Sequence, residues 1–283
     1  MISKTINYIK KKKSSKKVLV IGEIFEDIFA EVNIVKISQE APVMVINPKK
    51  EAQKKYLGGA GNVLQNLISA KINAKLISLA EKENFNFLDK KIQRKLLLTI
   101  DKSYKNIKKI RYVSNNKHLI RVDHEKTYQF PKKKEKTFYK NIINNIKNTD
   151  FVVFSDYDKG FLTNNNIPKI LQIIKTKKNI KVFVDSKRKN LEIYKDVYLI
   201  KINNNEACDY FKINDVYDNL NYKKIFTFLK QNKIENLIVT TGKNGAILFK
   251  KNNFYYSQNK YKKEVYDVSG AGDTFLSYLV VGH

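Results

Sequence analysis

The chain has 283 residues, 42% hydrophobic and 12% aromatic, enough for one large α/β domain with a real core and too apolar for wholesale disorder. It carries 55 basic and 27 acidic residues, a net charge of +28. Only four of the basic residues are arginine (Arg94, Arg111, Arg121 and Arg188), and the lysines are spread along the chain among many Asn and Ile. That pattern reads as composition bias and argues against a specific nucleic-acid surface, which would favour arginine.

Met1–Lys17 is a basic tail without the apolar segment of a secretory signal. No run of 18 apolar residues occurs, so no membrane insertion is expected. The single cysteine, Cys208, excludes an internal disulfide and fits a reducing, cytoplasmic setting. Val18-Leu19-Val20-Ile21, ending at Gly22, has the uniformly apolar character of a buried parallel strand. Asp27 follows it, at the strand end where open α/β sheets bind ligands. It is either a carboxylate for sugar hydroxyls or an ordinary loop aspartate.

Residues 31–56 contain Pro42 followed by β-branched residues, which argues for extended chain at a sheet edge. Residues 108–125 read as a second extended region, with Ser114–Lys117 as its turn. Together they form a small β lid. A free-standing sheet of that size exposes an apolar face, so pairing with a second copy, a homodimer through the lid, is expected. Arg121 and Asp123 are two apart on a strand and so point the same way, either towards a ligand or into a pair with each other.

Leu57-Gly58-Gly59-Ala60-Gly61-Asn62 opens a segment of helical periodicity, where glycines let a ligand approach backbone. Residues 75–103 carry no comparable pattern beyond Leu76–Leu79. From Asp150 onward apolar strands alternate with helix-length segments: 150–160, 181–187, 197–203 and 237–242. This is the βαβ pattern of a mostly parallel sheet with helices on both faces. Asn203 and Glu206 share a face if a helix starts there. They are either oxygen ligands for Mg²⁺ through water or a helix capping pair, and locally the capping pair is the simpler reading.

The chain ends with Asp267-Val268-Ser269-Gly270-Ala271-Gly272-Asp273-Thr274 and an apolar run. Glycines ahead of a helix start let backbone N–H groups converge beside the positive end of the helix dipole, a site for phosphate. A carboxylate at its rim makes sense as the base that takes a proton from an attacking hydroxyl. The competing reading is an N-terminal cap.

This stretch resembles the signature of the ribokinase-like (PfkB) sugar kinases, and the resemblance recurs in order along the chain. It implies an α/β, ribokinase-like three-layer sandwich with a mostly parallel central sheet and a β lid, spanning 18–283. It implies ATP and Mg²⁺ as cofactors, with Asp273 as base and Gly270, Ala271 and Gly272 as anion hole. Asp27, Gly58, Gly59 and Asn62 would bind the sugar. Lys187, Asn203, Glu206, Thr241, Gly242 and Gly245 would surround the nucleotide, Asn203 and Glu206 through the metal. Glu23 departs from the family's first aspartate, and Arg188 stands where the family has glycine.

Residues 36–43, 119–125 and 155–160 look like those of the D-glycero-β-D-manno-heptose 7-phosphate kinases, which feed ADP-heptose and lipopolysaccharide synthesis. That narrows the expected substrate to a phosphosugar held by Arg121, Asp123 and Lys159. Family members continue several tens of residues past the helix that here stops at His283, so a truncated kinase domain is expected. Two rivals stay open: a related kinase for another sugar, phosphosugar or nucleoside, and a basic binding protein on a degraded kinase fold.

Overall fold

The computed structural model describes residues 16–82, 85–115, 117–258 and 269–283. Most of the basic tail, and Asp267 and Val268 of the terminal motif, lie outside the described residues. Two sheets organise the chain. The larger has nine strands, in the order β13-β12-β11-β10-β9-β8-β1-β4-β5. Its members are β1 (Lys17–Gly22), β4 (Asn73–Ala80), β5 (Leu96–Ile100), β8 (Phe151–Asp156), β9 (Lys181–Ser186), β10 (Leu199–Asn203), β11 (Asn236–Thr240), β12 (Ala246–Lys250) and β13 (Asn253–Ser257). Pairing is parallel from β5 to β11, and β12 and β13 close that edge as an antiparallel hairpin.

Strand β1 shows why its run is uniformly apolar. Leu19 and Ile21 enter the core on one face of the sheet, and Val18 and Val20 enter the core on the other. Helices α3 (Lys132–Ile146), α4 (Asn166–Lys175), α5 (Asn204–Phe211) and α6 (Tyr222–Asn232) cover the first face; α1 (Ala60–Ser69) and α7 (Ala271–Val281) cover the second. The short α2 (Lys90–Gln93) leads into β5. This is the expected three-layer α/β architecture. None of the described helices is long and apolar enough to cross a membrane. Strand β5, built from Leu96-Leu97-Leu98-Thr99-Ile100, and the β12–β13 hairpin carry no strand expectation from sequence.

The second sheet is the lid, ordered β3-β2-β6-β7, from β2 (Ile24–Ile37), β3 (Met44–Gly59), β6 (Ile107–Ser114) and β7 (Lys117–His124). It begins earlier than the expected 31–56, because β2 starts directly after β1. Pro42 lies in the bend between β2 and β3, not on a strand; the proline of the edge strand is Pro48, opposite Val32. Bulges between Ala30 and Val32 and between Ile34 and Lys36 bend the β2–β3 arm.

Candidate active site

Helix α7 starts at Ala271, with Gly270 as its N-cap at φ 71. Asp273 is therefore the third helical residue and Gly270 holds the N-cap position, so Asp273 is not the N-cap. The first-turn N–H groups of Ala271, Gly272 and Asp273 have no acceptor within the helix. A side chain at Gly270 would place its Cβ 2.5 Å from Asn62 Nδ2, and one at Gly272 would come 2.8 Å from Lys201 Nζ. Gly270 is favoured by its left-handed backbone as well as by this close approach, whereas at Gly272 the near atom is the end of the Lys201 side chain.

Asp273 is 6% exposed. Its Oδ2 accepts from Asn62 Nδ2 at 3.0 Å and its Oδ1 from the Tyr157 hydroxyl at 2.7 Å. Asn62 is braced by Asn66, which also donates to Thr274 Oγ1. Burial pushes the Asp273 carboxyl up to about 6; the two hydrogen bonds and Lys201 pull it down, and Asp185 adds to the rise. The group is held close to the range where a carboxylate serves as a proton acceptor at neutral pH.

Beneath the first turn of α7 lies an ion pair absent from the sequence-derived site. Lys201 Nζ on β10 meets Asp185 Oδ2 on β9 at 2.6 Å, and Lys201 is 2% exposed. Its ammonium and the helix dipole converge on one spot, which favours an anion there. A lone lysine within the apolar run Leu199–Ile202 is the signal that could have marked it. Asp185 Oδ1 is buried with no hydrogen-bond partner and lies 3.8 Å from Lys187 Nζ.

Lys187 also pairs with Glu206 Oε1 at 2.5 Å. Asn203 and Glu206 form a reciprocal capping box at the start of α5, with Glu206 N to Asn203 Oδ1 at 2.9 Å and Asn203 N to Glu206 Oε2 at 2.8 Å. The Asn203 oxygen is thereby committed to the helix. Among the described residues no three His, Cys, Asp or Glu side chains cluster as a ready-made metal site. Asp185 Oδ1, by contrast, has no hydrogen-bond partner, and one carboxylate with water and phosphate oxygens suits Mg²⁺, whereas both Glu206 oxygens are engaged, Oε1 by Lys187 and Oε2 by Asn203 N. Thr241, Gly242 and Gly245 form a tight turn closed by Thr241 N to Gly245 O at 2.9 Å. Thr241 Oγ1 is buried and unpartnered.

The lid sits over this site through Phe25, whose ring meets Tyr157 edge-on at 4.5 Å. Asp27, two residues on, shares that face of β2, and so do Lys109, Arg111, Arg121 and Asp123 by register. Asp27 accepts from Arg111 at 2.5 Å, and Arg111 is the buried arginine of the lid, 6% exposed. Arg121 lies directly opposite Arg111, is exposed, and donates to Asp123 at 2.8 Å, the pairing alternative of the sequence reading. Lys159 bonds Glu125 at 2.6 Å, tying the loop after β8 to the end of the lid.

That loop is anchored by Glu23, which is 1% exposed and accepts from the backbone N–H groups of Tyr157 and Lys159. Burial first, and the neighbouring Asp156 charge second, push the Glu23 carboxyl up to about 8. Asp156 is itself fully buried and accepts from Ser186, Tyr194 and Arg188 Nε. Arg188, which stands where the family has glycine, folds inward to Asp156 and Asp158.

A carboxylate beside a helix N-terminus, over a nine-stranded α/β sheet with a β lid, suits a phosphoryl-transferring kinase, and residues 15–282 match the pfkB family of carbohydrate kinases. The chain belongs to that family. It is 32% identical over 268 residues to the bifunctional protein HldE of Aliarcobacter butzleri, covering 93% of this chain and 55% of that protein. It is 33% identical over 269 residues to the HldE protein of Nitratiruptor sp., covering 93% of this chain and 56% of that one. The chain thus spans about half the length of these relatives. Among solved structures it resembles Escherichia coli phosphofructokinase-2 in complex with substrates and products, with a TM-score of 0.74 at 13% identity over 93% of this chain and 85% of that one. It also resembles Arabidopsis thaliana ribokinase complexed with ribose and ATP, with a TM-score of 0.67 at 11% identity over 94% of this chain and 85% of that one.

Proposed function

We propose that the chain transfers the γ-phosphoryl group of ATP to the anomeric hydroxyl of D-glycero-β-D-manno-heptose 7-phosphate. The product is the 1,7-bisphosphate, in the cytoplasmic supply of ADP-heptose for lipopolysaccharide. The observation that carries the reaction type is Asp273, buried in the first turn of α7 with both oxygens oriented by donors. The substrate assignment rests on the lid motifs and on the HldE relatives. Asp273 takes the hydroxyl proton while the anomeric oxygen bonds to phosphorus and the bond to the bridging β,γ-oxygen breaks. The N–H groups of Gly270, Ala271 and Gly272, with Lys201 below them, hold the charge on the transferring group. Catalysis is positioning and electrostatics.

Gly58, Gly59, Asn62 and Asp27 line the sugar side, and Asp123 reads a ring hydroxyl. Arg121 and Arg111, on the cleft-facing side of the lid, supply positive charge for the phosphate the sugar already carries. Thr241, Gly242, Gly245 and Lys187 face the nucleotide phosphates. Mg²⁺, when bound, would be held by Asp185, with Glu206 reached through water, and would neutralise phosphate oxygens. Two copies pair through their lids.

The test is ADP release with a panel of sugars and phosphosugars, with the product checked by phosphorus NMR. Heptose 7-phosphate should give the highest kcat/KM and a new anomeric phosphate signal. A preference for fructose 6-phosphate, ribose or a nucleoside would overturn the substrate and leave the kinase reading standing.

A further inference from the structure

Asp273 has two clamps, and they differ in kind. Asn62 comes from α1, packed directly against α7, and its amide is held in turn by Asn66. Tyr157 comes from the loop after β8, more than a hundred residues away in sequence, and the reaction as written above counts it as one of two donors without giving it a separate task. Three observations show that its place is built. Its backbone N–H is bonded to the buried carboxyl of Glu23 at 3.0 Å. Its ring is packed edge-on against Phe25 at the base of the lid. Its hydroxyl reaches Asp273 Oδ1 at 2.7 Å, a charge-assisted length.

We infer that Tyr157 is a positioning residue for the base: its hydroxyl fixes the plane of the Asp273 carboxylate and leaves one lone pair of Oδ1 directed at the acceptor hydroxyl. The inference rests on the reading of Asp273 as base. Burial and the charge of Asp273 hold the phenol well above its ordinary value, so Tyr157 stays a donor throughout the working pH range. The other charged groups facing Asp273 are Asp185 on β9, Lys201 on β10 and Lys187 in the loop after β9. Neither lysine donates a hydrogen bond to Asp273: Lys201 bonds Asp185 and Lys187 bonds Glu206. Carboxylate direction is thereby linked to the segment on which the lid rests.

The test combines kinetics with a titration that needs no turnover. Tyr157→Phe should lower kcat about 10- to 100-fold, the loss of one charged hydrogen bond, with KM for sugar and ATP changed by less than about 2-fold. The acidic limb of its kcat profile should move to higher pH, and a ¹³C-carboxyl titration of Asp273 should move the same way. With Asp273→Asn as background, Tyr157→Phe should cost nothing further. Replacement of Tyr157 by 3-fluorotyrosine, which keeps the ring and strengthens the donor, should move the limb to lower pH and serves should the phenylalanine variant melt early. An unmoved Asp273 titration, or a loss that appears equally in the Asp273→Asn background, overturns the inference. Full activity of Asp273→Asn alone would instead sink the base reading, and the ¹³C titration would still decide whether Tyr157 sets that carboxyl.

Discussion

At the scale of single residues, Asp273 carries the heaviest burden, and its burial works against stability. A carboxyl raised to about 6 in the fold is neutral at low pH and must ionise in an unfavourable place as pH rises. Stability from this group is therefore full below the ordinary carboxylate range and is lost as pH rises through about 6, whereas activity, with Asp273 as the proposed base, should be lost as pH falls through about 6. Asp273→Asn should cut kcat by about 10²- to 10⁴-fold and abolish the acidic limb, while its melting temperature at pH 8 equals or exceeds that of the unsubstituted chain. Steady-state kinetics and thermal melts at two pH values check both signs; wild-type turnover in the variant would reduce Asp273 to a structural residue. Asp273 and its glycines were legible as a cluster because glycine, glycine and aspartate are local to one helix start. Tyr157 was not, because its meeting with Asp273 depends on how the loop after β8 returns to the sheet. Lys201 was half legible: a lysine inside an apolar strand is anomalous, but only the pairing of β10 with β9 shows that its partner is Asp185.

The elements around the site depend on one another through buried carboxyls, and the loop after β8 is the clearest case. It runs from Asp156 to Gly160 with Asp158 in the left-handed region at φ 56, and it is held by Glu23 from the turn between β1 and β2. Glutamate in place of the family's aspartate has one more methylene, which suits a group that crosses to another loop's backbone. Arg188 in place of glycine fills the same region from β9's side and completes the partners of Asp156. These two substitutions made the local backbone illegible from sequence, and each is explained by a long-range polar contact. Because Glu23 is held up to about 8, its contribution to stability is present below pH about 4.5 and is lost as pH rises through about 8. Glu23→Gln carries no such charge. Its melting temperature should change less between pH 5 and pH 8.5 than that of the unsubstituted chain, the stability curves drawing together or crossing with rising pH by on the order of a few kcal/mol. Parallel curves across that range would mean that Glu23 is ionised in the fold.

On the scale of the whole molecule, the parallel sheet was legible because buried strands are uniformly apolar and alternate with helix-length segments. Its edges were not. Leu96–Ile100 looks like any short apolar run, and becomes β5 only because β4 offers an open edge. The β12–β13 hairpin likewise completes the other edge. The lid was legible as an extended pair of segments, and its surface suggests what it does. Ile34, Val35, Ile37, Val43, Met44, Ile120 and Val122 are all exposed large apolar side chains of β2, β3, β7 and their connecting bend. That is a concentration a monomer of this size does not ordinarily leave in water. On the edge strand β7, Ile120 and Val122 point to the side opposite Arg121 and Asp123, so the proposed sugar contacts and the proposed lid dimer would use opposite faces. Because both side chains are exposed, at 56% and 37%, changing them leaves the fold of one chain intact. The double variant Ile120→Glu with Val122→Glu should place four like charges across a twofold lid contact, and should shift sedimentation at micromolar concentration from dimer to monomer with unchanged circular dichroism. A monomeric unsubstituted chain, or a variant that dimerises equally well, would assign the exposed lid face another role.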